Sequence, residues 1–229
     1  AALADALGRG GAPILQALHL SGNPLGDDGA AALAYDLLRA GGCPRLRDLQ
    51  LNHCQIGDAG AEALAEALRD GFAPLLQNVW LGGNVIGDYG ADLLANAVTP
   101  GVGQALGLRR LALYSNSIAE AGALSLGRAL EARGRERHGS GGQGISVLTV
   151  MLFGNQLADE ATVRHLADLD GYGERENSDR VELWAPPSMG GSSPYTSQYA
   201  SVAASPTRLP PQQWGSPPAP VRGRLFDLM

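Results

Sequence analysis

Four aspartates recur in one local setting, and what their carboxylates could do is the first question. Asp27, Asp58 and Asp88 each follow a glycine, and Asp159 follows Ala158. Regularly spaced carboxylates could act as general acids and bases or hold calcium. Either chemistry needs the groups to converge on one point. These instead hold the same place in successive segments, just before a predicted helix. There an Asp accepts hydrogen bonds from free N–H groups and sits well in the helix dipole. The expectation is capping. His19 and His53 come from neighbouring segments, but two histidines without a third ligand make a poor metal site. Gly101, Gly103 and the glycine-rich stretch Gly139 to Gly144 have neither the Lys-Ser/Thr nor the strand-to-helix context of a phosphate cradle. No nucleophile–base pair, metal or cofactor site is predicted, so the chain reads as non-enzymatic, with no small-molecule substrate.

The elements that carry these residues repeat. Aligned on Asn23, Cys54, Asn84, Asn116 and Asn155, an aliphatic residue recurs eight, five and three positions upstream. The triplets are Leu15, Leu18, Leu20; Leu46, Leu49, Leu51; Leu76, Val79, Leu81; Leu108, Leu111, Leu113; and Val147, Val150, Leu152. Another aliphatic follows two residues after each anchor: Leu25, Ile56, Ile86, Ile118, Leu157. The anchors lie 31, 30, 32 and 39 residues apart. The L-x-L segment alternates as a strand does, and the anchor turns the chain by satisfying backbone groups that the bend leaves unpaired. Alanine and leucine then recur at helical spacing, as in Ala61, Leu64, Ala65, Leu68 and Ala91, Leu94, Ala95, Val98. Gly29, Gly60, Gly90 and Gly122 would let each helix approach its neighbour. No single unit can bury its apolar face alone, so the units must stack.

This L-x-x-L-x-L-x-x-N/C-x-L pattern, with its ~30-residue period and its Gly-Asp-x-Gly-Ala helix start, resembles the ribonuclease-inhibitor type of leucine-rich repeat. The resemblance implies an α/β solenoid, a horseshoe with parallel strands on its concave face and helices on its convex face. Relatives include ribonuclease inhibitors, the sensor regions of nucleotide-binding immune receptors, Ran GTPase-activating protein, and ciliary and cytoskeletal scaffolds. The predicted organisation is a repeat domain over 1–170, one partial repeat followed by five, and an extended tail over 171–229. Leu3, Leu7 and Pro13 match Leu64, Leu68 and Pro74, so the chain opens inside the helix of a repeat. The expectation is that repeats precede it.

The tail is rich in Pro, Ser and Gly with scattered aromatics, and such a composition builds no core of its own. Trp184, Tyr195, Tyr199 and Trp214, together with Leu225, Phe226 and Leu228 at the end, are its candidate anchors for a partner. On the concave face the column within L-x-L holds His19, Gln50, Trp80, Ala112 and Met151, and the next holds Ser21, Asn52, Gly82, Tyr114 and Phe153. Of these, Trp80, Tyr114, Met151 and Phe153 form a diagonal of large apolar groups that, with His19 and Gln50, is the candidate binding surface. Arg47, Asp48, Arg109 and Arg110 read as solvated. Residues Glu131 to Gly144 lengthen the fourth repeat and read as a surface loop.

In 229 residues the net charge of −6 gives no field to attract nucleic acid or anionic membrane. No apolar stretch reaches the ~18 residues a membrane helix needs. Cys43 and Cys54 read as reduced thiols of an intracellular protein. The function expected is a scaffold subunit of a larger intracellular assembly, ciliary or cytoskeletal by family analogy, with organellar placement as a second reading. A GTPase activator like Ran GTPase-activating protein, or the sensing end of an immune-type receptor, are the alternatives. The first lacks its usual acidic stretch here and the second its nucleotide-binding domain.

Overall fold

A computed structural model describes residues 12–39, 43–138, 144–171 and 179–183. Strands and helices alternate through it. Strand β1 is Ala17–His19, and helix α1 is Gly26–Ala32, continued by a wider π-helical segment over Leu33–Arg39. Then come β2 (Asp48–Gln50), α2 (Asp58–Arg69), β3 (Asn78–Trp80), α3 (Asp88–Val98), β4 (Arg110–Ala112), α4 (Glu120–His138), β5 (Thr149–Met151), α5 (Glu160–Gly171) and β6 (Arg180–Glu182). The six strands form one parallel sheet in sequence order, with Leu18, Leu49, Val79, Leu111, Val150 and Val181 in register. This is the leucine-rich-repeat α/β solenoid that the spacing predicts. Its last strand comes from beyond residue 170.

The repeated aliphatics are the core. Leu46, Leu49, Leu51, Leu76, Val79, Leu81, Leu108, Leu111 and Leu113 are buried, as are Ile56, Ile86 and Ile118 after each anchor. Helices α2, α3 and α4 turn Leu64, Leu68, Leu94, Val98, Leu126 and Leu130 onto them. In the first repeat Leu15, Leu18 and Leu20 are only partly buried. The fifth repeat shifts by one residue. Val147 is half-buried, while Leu148, its neighbour, is fully buried. Its amide donates to the Asp179 carboxylate at 2.6 Å, whereas Arg47 and Arg109 at the same place donate to the preceding strand.

The anchor side chains bind between repeats. Asn84 Oδ1 accepts the N–H of Cys54 and Ile56, at 2.8 and 3.1 Å, and its Nδ2 donates to the carbonyls of Leu51 and Leu81. Asn155 repeats this for Asn116 and Ile118 and for Leu113 and Leu152. Cys54 lacks the amide's strong acceptor oxygen, and its Sγ donates to Leu20 O at 3.3 Å and Asn52 O at 3.4 Å. The carboxylates do likewise, which amends the expectation that each caps its own helix. Asp27 Oδ1 accepts from Gly57 N and Gly60 N, Asp58 Oδ1 from Gly87 N and Gly90 N, and Asp88 Oδ1 from Ala119 N and Gly122 N, all at 2.7–3.0 Å. Each caps the helix of the following repeat. Glu120 extends the series to Ala158 N and Asp159 N, and Asp159, still exposed, caps its own helix at Thr162.

Unequal repeat lengths are absorbed locally. The first turn differs from the next two: Gly26 takes φ 62°, whereas Gly57 and Gly87 at the same place stand at φ −102° and −99°. The extra residue of the first repeat falls within its π segment. The long fourth repeat spends its excess on helix: α4 has 19 residues against 12 and 11 in α2 and α3. Residues 131–138 are therefore helical rather than a loop. The close approach expected of the glycines holds at Gly60, Gly90 and Gly122, where a Cβ would meet the preceding repeat's carboxylate at 2.7 Å.

Two outcomes follow from this geometry. Gly90→Ala drives a methyl against Asp58 and Ala61 and should cost about 1–3 kcal/mol in denaturant unfolding, as overpacking does. The N–H groups of Ala158 and Asp159 hold the Glu120 carboxyl below its ordinary value. Its contribution to stability is thus full above the usual glutamate range and lost as pH falls below that range. An NMR titration should show the Ala158 amide shifting in that acid range, and Glu120→Gln should remove most of that shift.

Candidate functional site

Helices cover one face of the sheet, and no described element covers the other. Its side chains stand in three columns set by the strand register. The first, Ala17–Asp48–Asn78–Arg110–Thr149–Arg180, is polar and linked: His19 Nε2 lies 3.8 Å from Asp48 Oδ1, Asn78 Nδ2 donates to Asp48 Oδ2 at 3.0 Å, and Arg110 Nη1 donates to Asn78 Oδ1 at 3.3 Å. The second is His19–Gln50–Trp80–Ala112–Met151–Glu182. The third begins as a ladder in which Ser21 Oγ accepts from Asn52 N, and Asn52 Oδ1 accepts from Gly82 N at 2.7 Å.

From Gly82 the third column becomes aromatic. The Tyr114 ring lies over Gly82, where a Cβ would fall 2.1 Å from it, and stacks on Phe153 with centroids 4.9 Å apart and planes 5° from parallel. Burial pushes the Tyr114 hydroxyl up from its ordinary value. Beside this stack, Trp80 and Met151 are half-buried on either side of fully buried Ala112. The Trp80 indole N–H is buried with no hydrogen-bond partner among the described residues. Trp80, Tyr114, Met151 and Phe153 thus share one stretch of the face, but Phe153 is covered and the other three show only part of their surface. His19 is exposed and Gln50 half-buried at the polar end. The expected tail anchors, Trp184, Tyr195, Tyr199, Trp214, Leu225, Phe226 and Leu228, lie outside the described residues.

Sequence reasoning missed a buried charge cluster at the edge where the strands begin. Arg133, assigned above to a surface loop, is 0% exposed in α4. Its guanidinium donates to the carbonyls of Val98, Leu106, Leu108 and Ser146, at 2.7–3.4 Å. Asp179, just before β6, receives Arg137 Nη1 at 3.0 Å and the Leu148 amide, with Arg133 Nε 3.9 Å away. The cluster ties β6 to α4 and β5. An acid one residue after the position where a repeat leucine would fall was its only sequence signal. Cys43 and Cys54 are both buried free thiols. Among the described residues no three His, Cys, Asp or Glu side chains come together, and no helix is long and apolar enough to cross a membrane. The arrangement offers surfaces for binding.

Comparisons with known proteins agree with the geometry. A family profile described as "Leucine Rich repeat" matches residues 12–34 and 42–65. Among solved structures, one described as "Leiomodin-1 Actin-Binding Site 2 (ABS2)" is similar at a TM-score of 0.51 and 12% identity, covering 76% of this chain and 90% of that one. No curated protein matches by sequence. The chain is a leucine-rich-repeat protein in fold.

Arg133→Ala should cost about 3–5 kcal/mol, because it takes a buried donor from four carbonyls and leaves Asp179 with Arg137 as its one cationic partner. Hydrogen exchange should show the loss first at β6 and at the Leu148 amide.

Proposed function

We propose that this chain is a non-enzymatic protein-binding module, a scaffold subunit of a larger intracellular assembly that grips its partner on the open face of the sheet. The observation that carries this reading is the Trp80–Met151 pair beside the Tyr114–Phe153 stack, on the one sheet face that no described element covers. A half-exposed tryptophan on a rigid sheet, next to aromatic and thioether surface, has the make-up of an interface hot spot. The polar run from His19 to Arg110 beside it would fix orientation, as a polar rim does. The ~30-residue period and full α-helices support assignment to the ribonuclease-inhibitor type.

The tail, with Trp184, Tyr195, Tyr199, Trp214, Leu225, Phe226 and Leu228, is our second contact region, able to tether a different subunit. A cytoskeletal setting is our first choice, and the actin-binding description of the structural neighbour makes filamentous actin the first partner to try. Co-sedimentation of the full chain with actin filaments, beside affinity capture from native extract, tests the reading. The double variant Trp80→Ala/Tyr114→Ala should keep its circular dichroism and weaken capture by at least about tenfold, the scale of losing one hot spot. Undiminished capture by the folded variant would remove the sheet face from the account.

A further inference from the structure

The edge where the strands begin carries a surface distinct from the sheet face. The backbone there is one continuous ladder: Arg47 N donates to Gln16 O, Gln77 N to Arg47 O, and Arg109 N to Gln77 O, at 2.7–2.9 Å. Arg47 and Arg109 are thus two strands apart, roughly 10 Å. Both are exposed, as is Arg45, and none of the three has an ion pair or hydrogen bond through its side chain among the described residues. Asp70, on the same edge, is engaged with Arg69 at 3.4 Å. Interleaved with the arginines are large apolar side chains: Ile14 is 73% exposed, Leu75 43% and Phe72 38%. Ile14, Arg45 and Leu75 hold one place in three successive repeats, two residues before the column of Gln16, Arg47 and Gln77. The pattern is a grid of basic and apolar sites held by rigid sheet backbone, on a chain whose net charge is −6.

We propose that this edge is a docking surface for an acidic protein segment with apolar anchors. Carboxylates of the segment would pair with Arg45, Arg47 and Arg109, and its aliphatic or aromatic residues would cover Ile14, Phe72 and Leu75. Charge complementarity selects acid, since solvated arginines on an otherwise acidic protein draw anions and repel cations. The apolar sites select a protein over a nucleic acid, whose backbone offers nothing to cover them. The surface is separate from the sheet face, so each can fail without the other.

The test is fluorescence anisotropy of the full chain with a dye-labelled 14-residue peptide alternating Glu and Leu, a Gln-for-Glu copy of it, and a 20-base-pair DNA duplex. The Glu-Leu peptide should bind saturably, and more weakly as salt rises. Its affinity should fall about tenfold in Arg47→Ala/Arg109→Ala and in Leu75→Ser, and stay unchanged in Trp80→Ala. The Gln copy should bind about tenfold more weakly than the Glu peptide. Arg47, Arg109 and Leu75 are exposed or partly exposed, so the variants should fold, and circular dichroism checks this. No saturable binding, equal binding by the folded arginine variant, or a DNA duplex binding more tightly through the same arginines would each overturn the proposal.

Discussion

Hydrogen bonds that leave one repeat and end in the next hold this molecule together. A helix start and a tight turn both expose backbone groups that cannot be buried unpaired. In this chain the partners come from outside the repeat that needs them. Asp58 closes the helix that begins at Asp88, and Asn84 closes the turn around Cys54 and Ile56. The carboxylate bonds run forward along the chain and the amide bonds run back. Neither set exists in an isolated unit, so burial of the leucines and satisfaction of the backbone are gained in the same act of stacking. Where the series stops, the solution changes: Glu120 reaches only the loop before α5, Asp159 caps its own helix, and the buried Arg133–Asp179 cluster fixes the last strand.

That division of labour determines what remains for binding. Everything between the helices and the sheet is spent on aliphatic burial and backbone satisfaction. The side chains left exposed or half-exposed are those of the open sheet face, the two edges and the outer faces of the helices. On the face, Gly82 makes room for the Tyr114 ring, which in turn seats Phe153, so the aromatic strip is built from an absent side chain as much as from present ones. At the edge where the strands begin, arginine and aliphatic residues share a rigid lattice. The two surfaces differ in chemistry and suit different partners.

Much of this was legible in the sequence because the repeated constraints are obligatory. Leucine at fixed offsets and an amide or thiol at the turn can be read as core and anchor without coordinates. The destination of the aspartates was not legible, since a 30-residue period is equally compatible with capping the same helix or the next. The burial of Arg133 was hidden for another reason. It sits among Arg135 and Arg137 on a charged stretch, and only the meeting of a lengthened helix with β5 and β6 encloses it. The same cluster turns Leu148 inward in place of Val147. Strand β6 keeps only Val181 and Leu183 of the pattern, with Ser178 and Pro186 where leucine and asparagine would stand. Strand spacing places Trp80, Tyr114, Met151 and Phe153 on one face, but the mutual covering of Tyr114 and Phe153 depends on ring placement that no spacing encodes.

Bonds that cross from repeat to repeat hold the helix starts, and native-state hydrogen exchange on Asp58→Ala measures them directly. The predicted result is faster exchange of the Gly87 and Gly90 amides and of the first turn of α3, while the first turn of α2, where residue 58 itself lies, keeps its protection from Asp27. Loss of protection confined to α2 would mean that each carboxylate serves its own helix, and would contradict the account.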